Sequence, residues 1–315
     1  METGSRNWLL NGRNLVVADA GARNGFQLIP QLHKYIDLFA FEPDPVSFEP
    51  LNEKYKTSNQ FHKVEVSQLA LADKAAILKF YPAKHPSMSS LLKLDSDVFK
   101  TYTGRMADSE HWAEGFTTRE EIEVQTETLD YWAASKQIGY IDFLKLDTQG
   151  SELMILHGAA DLLRNKQIGV VFAEVSFAPL YKEQCSFTEL DLWMKHCGYR
   201  LADIRTYPEI ADYLSRSSSG RITEQPRFGM TGDAVYVPAD KASYKHPGSV
   251  ALLLAALGYY SQSEALLAEN NLLTNNETEQ LFRELSKQTF RQKVKQLLRR
   301  ITPPIVHYWY SRLTH

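Results

Sequence analysis

The sequence predicts an α/β protein: a parallel, Rossmann-like sheet with helices on both faces, plus an all-helical C-terminal appendage. Three observations carry that expectation. Short, continuous apolar runs end in carboxylates at Asp19, Glu42, Asp147 and Glu174. Helical periodicity separates several of these runs. Beyond Lys241 the strand pattern stops and only helical spacing continues. An uninterrupted apolar run suits a parallel strand, because crossover helices cover both of its faces.

The first strand is Leu15-Val16-Val17-Ala18-Asp19, and turn chemistry follows at once in Ala20-Gly21-Ala22-Arg23-Asn24-Gly25. From Phe26 to Ile36, apolar residues at Phe26, Ile29, Leu32 and Ile36 predict a helix. The second strand, Ile36 to Phe41, ends in Glu42-Pro43-Asp44-Pro45, where the prolines close the strand and open a helix. A third run spans Val64 to Leu71, and Ala76 to Tyr81 reads as an extra strand. Residues Pro82 to Glu121 are irregular and polar; loops of that length inside a domain are usually functional. The α/β rhythm resumes at Thr128 to Trp132, followed by a strand from Ile141 to Asp147 and a helix from about Ser151 to Asn165. Gly169 to Val175 is another buried strand, Phe187 to Cys197 an amphipathic helix, and Tyr199 to Ile204 a further strand. Ser215 to Gly232 reads as a mobile loop, and Ala234 to Val237 as the last strand.

This pattern divides the chain into a sheet domain, residues 1–240, and a helical region, residues 241–315. The latter opens with a helical hairpin near Ser249 to Tyr260 and Ser263 to Glu269. Arg283 to Arg300 then carries seven Lys/Arg against one Glu, and an aromatic end follows at Tyr308-Trp309-Tyr310. An apolar stripe along that basic helix favours packing on the sheet domain or a second subunit; the alternative is peripheral contact of 283–310 with an anionic membrane surface.

Composition narrows the function classes. The chain has 315 residues, 35 basic against 38 acidic, for a net charge of −3, so no global basic field recruits nucleic acid. Its two cysteines, Cys185 and Cys197, make no disulfide framework, as fits a reducing compartment. Met1 to Leu10 holds no signal-peptide core. The longest clean apolar run, Val250 to Leu257, is far short of the ~20 residues a membrane span needs. A cytoplasmic protein is expected, with the inner face of a membrane as a second location should 283–310 bind lipid.

The chemistry concentrates at the strand ends. Asp19-x-Gly21-x-x-x-Gly25, with Ala22 and Asn24 inside the turn, sits where a dinucleotide fingerprint would begin with glycine. A carboxylate repels a pyrophosphate but attracts the ammonium of a methionine moiety, which favours S-adenosylmethionine (SAM) over NAD. Glu42 lies 23 residues beyond Asp19, where an acid accepts hydrogen bonds from ribose hydroxyls. Lys145-Leu146-Asp147-Thr148-Gln149-Gly150-Ser151-Glu152 places Asp147 over the same crevice, while Glu152 suits either the site or the first turn of a helix. Glu174 is the fourth strand-end acid.

Taken in order, these pieces are similar to the FkbM-type SAM-dependent methyltransferases. The resemblance runs from about Val16 to Val237. It rests on Val17 to Gly25, Phe41 to Pro45, Ala70-Leu71-Ala72-Asp73, Ser89-Ser90-Leu91, Thr128-Leu129-Asp130, Phe143 to Leu153 and Phe172 to Val175. It implies a class I methyltransferase fold, a seven-stranded sheet whose last strand is antiparallel. It also implies O-methylation of a hydroxyl on a sugar, glycan or related natural product. By the same resemblance Asp19, Gly21 and Gly25 hold the methionine end and Glu42 the ribose. Leu69, Ala70 and Leu71 then pack on adenine, and Asp147 lies near the transferred methyl.

A proton acceptor for the hydroxyl is expected among Asp147 and Glu174, with Lys145 as a third catalytic candidate and His85 or His111 as alternatives. A divalent cation on Asp147 and Glu174 would be another way to acidify a diol, but no metal motif supports it. Acceptor recognition falls to the two insertions, Pro82 to Glu121 and Thr206 to Gly232, with Tyr102, Arg105, Trp112 and Phe116 suited either to a sugar face or to a local apolar cluster. Two rival functions stand beside this one: a nucleotide-binding oxidoreductase on the same scaffold, and a non-enzymatic binding module. Oligomeric state is not legible.

Overall fold

Strand β1 (Leu15–Ala20) is buried on both faces, as its unbroken apolar run requires, and it lies between β2 (Ile36–Phe41) and β7 (Ile141–Leu146). The structure is a computed structural model that describes residues 8–103, 114–206 and 231–286. Seven strands form the main sheet in the order β3-β2-β1-β7-β8-β10-β9, adding β3 (Lys63–Ser67), β8 (Ile168–Ser176), β9 (Tyr199–Thr206) and β10 (Thr231–Pro238). Only β10 runs antiparallel to its neighbours β8 and β9. This is the seven-stranded class I methyltransferase arrangement. Strand order reverses between β1 and β7, and the crevice outside the carboxyl ends there is where open α/β sheets bind ligands.

Helix α1 (Pro45–Lys56) begins as its sequence dictates. Asp44 accepts a hydrogen bond from Val46 N at 3.1 Å and another from Ser47 Oγ at 3.1 Å, and Pro45 occupies a first-turn position that needs no N–H. The stretch from Phe26 to Ile36 is not an α-helix. Ile29 sits at φ +44° and Pro30 offers no N–H, so only a 3₁₀ segment, Pro30–Tyr35, forms before β2.

The Val64–Leu71 run also divides. After β3, the short strand β4 (Ala70–Leu71) joins a separate three-stranded sheet with β6 (Ile122–Glu127) and β5 (Ala76–Phe80), in the order β4-β6-β5. Strand β6, whose apolar residues merely alternate, has no counterpart in the sequence reading. Within the long insertion, a 3₁₀ turn (Pro86–Met88) and α2 (Ser96–Thr103) replace the expected irregular chain.

Thr128 caps α3 (Leu129–Ser135), accepting from Tyr131 N. The single helix expected from Ser151 to Asn165 is two, α4 (Glu152–His157) and α5 (Ala160–Arg164). At the break the Gly158 carbonyl accepts from Asp130 N at 3.0 Å, while Leu162 N, its partner in a continuous helix, turns to the Asp130 carboxylate; a side chain at Gly158 would stand 2.0 Å from the carbonyl oxygen of Ala72. Asp130 supplies the cap that Ala159 cannot, accepting from Asp161 N and Leu162 N at 2.9 Å each. Helix α6 (Phe187–His196) opens with a reciprocal cap between Ser186 and Glu189.

The chain divides into two compact units, the larger being Asn14–Gln27 with His33–His246. The described parts of the smaller unit are residues 8–13, Leu28–Leu32 and 247–286. There α7 (Pro247–Leu257) is buried almost throughout and packs on α8 (Tyr260–Glu269). Ser263 Oγ donates to Ala251 O at 2.8 Å, and Arg13 donates to Ser249 Oγ at 3.1 Å. Most of the basic helix and the aromatic end lie outside the described residues. No helix among those described is long and apolar enough to cross a membrane. Cys185 and Cys197 are free thiols.

Removing the Asp130 carboxylate leaves two first-turn N–H groups of α5 without an acceptor. Asp130→Ala is therefore expected to lose about 1–2 kcal/mol in urea denaturation; an unchanged midpoint would contradict this capping role.

Candidate active site at the carboxyl rim of the sheet

Strand register decides which side chains meet. Asp19 of β1 is paired with Ala40 of β2 and with Lys145 of β7, and Lys145 is paired with Phe172 of β8. The ladder runs one residue further: Gly21 N donates to Phe41 O and Asp147 N to Ala20 O, both at 3.2 Å. Two residues along, on the same face, the rim therefore reads Glu42, Gly21, Asp147, Glu174, and across the antiparallel pair Asp233 and Arg205. Asp19, Glu42, Lys145, Asp147 and Glu174 share one face and one edge. Asp233 was missed because its carboxylate opens an antiparallel strand, where the strand-end-acid pattern does not apply.

Lys145 holds the centre. Its Nζ donates to Asp19 Oδ1 at 2.9 Å and lies 3.6 Å from Asp147 Oδ2. Burial disfavours its charge, but the two carboxylates outweigh that and hold the ammonium above its usual range. Asp19 is fully buried; burial pushes its carboxyl up and Lys145 opposes the shift. The expectation that Asp19 meets a ligand ammonium needs amending, because a resident ammonium already occupies Oδ1. Its Oδ2 is buried without a hydrogen-bond donor among the described residues. That orphaned acceptor is what a ligand donor would satisfy.

Glu42 is buried at the end of β2, where Oε1 accepts from Asp44 N at 3.0 Å. Burial pushes its carboxyl up to about 7, against hydrogen bonds from the backbone of Asp44 and Arg23. Glu174 is partly buried and accepts from Gln149 Nε2 at 2.8 Å. Burial, with Asp147, Glu152 and Asp233 close by, raises its proton affinity well above the carboxylate norm. Asp147 is half exposed and accepts from Gln149 Nε2 at 3.4 Å. Glu152 is inward-facing but occupied by its own turn, accepting from Thr148 N (2.7 Å), Thr148 Oγ1 (3.0 Å) and Gly150 N (2.9 Å).

The glycines serve the protein's own packing. At Gly21, with φ +77°, a Cβ would lie 1.9 Å from Asp147 O, so glycine is what lets β1 and β7 close at the rim. At Gly25 it would meet the Tyr55 hydroxyl at 2.6 Å. Ala22 is buried and Asn24 exposed in the turn between them. Without a following α-helix, this turn offers no helix N-terminus to a ligand.

Leu69 and Ala70 part company. Ala70 packs in the small sheet's cluster with Phe80 and Val124, so it does not stand open to a ligand. Leu69 lines a 380 Å³ cavity with Thr126, Tyr131 and Trp132. Phe116 belongs to a local cluster with Phe99 and Tyr181, and exposed His85 bonds Ser87. His111, Arg105 and Trp112 lie outside the described residues, as does the side chain of Tyr102. Among the described residues no group of three or more His, Cys, Asp or Glu is placed to hold a metal ion.

The insertion is bound to the rim near both of its ends. Arg119 donates to buried Asp44 at 3.1 Å and to Ala83 O at 3.1 Å, and Ser90 Oγ donates to Gln149 O at 2.8 Å.

Fold and rim together define a class I methyltransferase scaffold. A model of the methyltransferase FkbM domain matches residues 19–201, more than half of the chain, and the chain belongs to that family. It is 27% identical over 167 residues to methyltransferase sdnD of Sordaria araneosa, covering 48% of this chain and 64% of that protein. It is 32% identical over 160 residues to the 31-O-demethyl-FK506 methyltransferase FkbM of Streptomyces tacrolimicus, covering 46% and 60%. The matches thus span less than two thirds of either relative. Among solved structures, a methyltransferase FkbM from Methylobacillus flagellatus aligns at TM-score 0.40 and 15% identity, over 71% of this chain and 43% of that one. The SAM-bound magnesium protoporphyrin IX methyltransferase of Synechocystis aligns at 0.36 and 10%, over 74% and 76%. At these scores the fold assignment rests on the strand order above.

Two substitutions probe this geometry. Gly21→Ala is expected to cost about 2–4 kcal/mol in chemical denaturation, and a loss below 1 kcal/mol would contradict the close approach to Asp147. Glu42 has a raised folded-state pKa, so its contribution to stability is complete below about 4.5 and is lost as pH rises through about 7. Glu42→Gln avoids that loss, roughly 3 kcal/mol. Melting curves should place the variant near wild type at pH 4.5 and several degrees above it at pH 8; equal curves at both pH values would argue against a buried, reluctant carboxylate.

Proposed function

We propose that the chain is a SAM-dependent O-methyltransferase that acts on a hydroxyl of a sugar, glycan or related natural product. One observation carries this above all: two carboxylates, Asp147 and Glu174, stand side by side at the carboxyl ends of β7 and β8 in a methyltransferase-family sheet, one half exposed and one of raised proton affinity. The name of the Streptomyces relative, a 31-O-demethyl-FK506 methyltransferase, supports an oxygen acceptor.

The donor set fits the cofactor. Asp19 Oδ2 offers a buried acceptor at the methionine end, and Glu42 offers a carboxylate for ribose hydroxyls. Bound SAM supplies a methyl group already activated on a sulfonium. The protein then has to orient the acceptor and take its proton; orientation alone is worth up to ~7–11 kcal/mol in well-aligned cases. Glu174 is the proton acceptor in this scheme, because a base of raised affinity works best near neutral pH. The hydroxyl proton passes to its carboxylate as the new carbon–oxygen bond forms. Lys145 stays charged and therefore cannot be that base; it neutralises Asp19 and steadies Asp147. The insertion of residues 82–121, pinned to Asp44 and to the Gln149 turn, supplies the acceptor side.

Isothermal titration separates this function from its rivals. SAM should bind and NADH should not; NADH binding without SAM binding would overturn it in favour of an oxidoreductase. With labelled SAM and cell-envelope extract as the acceptor source, Glu174→Gln and Asp147→Asn should keep cofactor affinity within about threefold of wild type. Methyl transfer should fall by ~10²–10⁴ for Glu174→Gln. Full transfer by that variant would remove Glu174 from the mechanism.

A further inference from the structure

We infer that Ser90, in the insertion, is a positioning residue for the proton-accepting carboxylate, acting through Gln149; this rests on the methyltransferase function proposed above.

Ser90 is 1% exposed, and both hydrogen-bonding capacities of its hydroxyl are engaged. Oγ accepts from Leu92 N at 2.9 Å and donates to Gln149 O at 2.8 Å. Its backbone is fixed in turn by a bridge to Tyr81, with Tyr81 N donating to Ser90 O at 2.8 Å. The hydroxyl is therefore a rigid clamp on the turn after β7.

That clamp holds Gln149 in an unusual posture. Gln149 has φ +57°, in the left-handed region that side-chain-bearing residues enter only when their surroundings impose it. In this posture its amide reaches the two rim carboxylates, donating to Glu174 Oε2 at 2.8 Å and to Asp147 Oδ1 at 3.4 Å. Gln149 is the only hydrogen-bond donor to Glu174 among the described residues.

The consequence is electrostatic. Asp147, Glu152 and Asp233 crowd Glu174 with negative charge, Lys145 opposes them, and the Tyr181 phenol shares the same surroundings. Burial leads these influences, and together they hold the Glu174 carboxyl well above the ordinary carboxylate range. A donated N–H favours the carboxylate form and pulls the other way. Ser90 thus ties the insertion, on the acceptor side, to the state of the base.

The test needs no acceptor. In the full chain, glutamate carboxyl carbons are labelled with ¹³C, the Glu174 signal is assigned by its loss in Glu174→Gln, and its pH midpoint is followed by NMR. Gln149→Gly tolerates the left-handed backbone but lacks the amide, so a merely structural role would leave the midpoint in place; the expected result is an upward shift of about one pH unit, a tenfold rise in proton affinity. Ser90→Ala should shift the midpoint in the same direction by a smaller amount. Ser90→Cys, with a weaker donor in a similar volume, gives the same reading should the alanine variant fail to fold. A wild-type midpoint in the Ser90 variants would overturn the clamp, and one in Gln149→Gly would overturn the role of the amide. Calorimetry with S-adenosylhomocysteine is run alongside. Failure of the wild type to bind it would count against the methyltransferase function, while the Glu174 midpoints would still decide for or against Ser90.

Discussion

The buried ion pair between Lys145 and Asp19 is the constraint around which the rim is organised. Two charges taken out of water are costly unless each neutralises the other, and removing one partner from such a pair typically costs ~3–5 kcal/mol. Here they sit directly opposite each other on adjacent parallel strands. A slip of one residue between β1 and β7 would separate them and carry one charge to the apolar face, where Ala18, Ala20, Leu144 and Leu146 pack. The pair therefore fixes the register of β1 against β7, which sets Asp147 beside Gly21; the pairing of β7 with β8 then sets Glu174 beside Asp147.

From that register follows the chemical character of the edge. Negative charge accumulates along one row, and one lysine held between two carboxylates cannot neutralise all of it. Proton affinity is raised at Glu174 and Glu42, with burial as the leading cause at each and the neighbouring rim carboxylates adding to it at Glu174. A rim of this kind suits a cationic ligand and a proton-accepting step more than it suits a pyrophosphate. Glu152 is buried too and adds its charge to the surroundings of Glu174, but its oxygens are engaged by the turn it caps.

The insertion between β5 and β6 is as much a part of the rim as the sheet. Asp44 serves as the cap of α1 and as the partner of Arg119, so the loop bearing Glu42 is anchored from both sides. Ser90 does the same for the turn bearing Gln149. Between these ties, Leu92, Phe99 and Phe116 of the insertion pack with Leu180 and Tyr181, which follow β8, in a small apolar cluster. An aromatic such as Phe116 is consumed in that cluster and is not presented to a ligand.

Much of the architecture was legible because local chemistry is decisive at strand ends and helix starts. Apolar runs gave β1, β2, β7 and β8, the prolines after Glu42 gave the beginning of α1, and amphipathic spacing gave α6. Errors arose where a distant atom overrides a local pattern. Asp130 takes over the hydrogen bonds of Gly158 O and Leu162 N and splits a helix, and the left-handed turn at Ile29 before Pro30 prevents one. At the site, the sequence by itself determined which acids stand at strand ends, since each closes an apolar run. Only the tertiary structure decided what those acids touch: that Asp19 is already paired, that Gly21 makes room for a backbone carbonyl, and that Asp233, Gln149 and Ser90 join the rim. The physical reason is that register, crossover and loop docking bring together residues far apart in the chain, and no local pattern encodes those pairings.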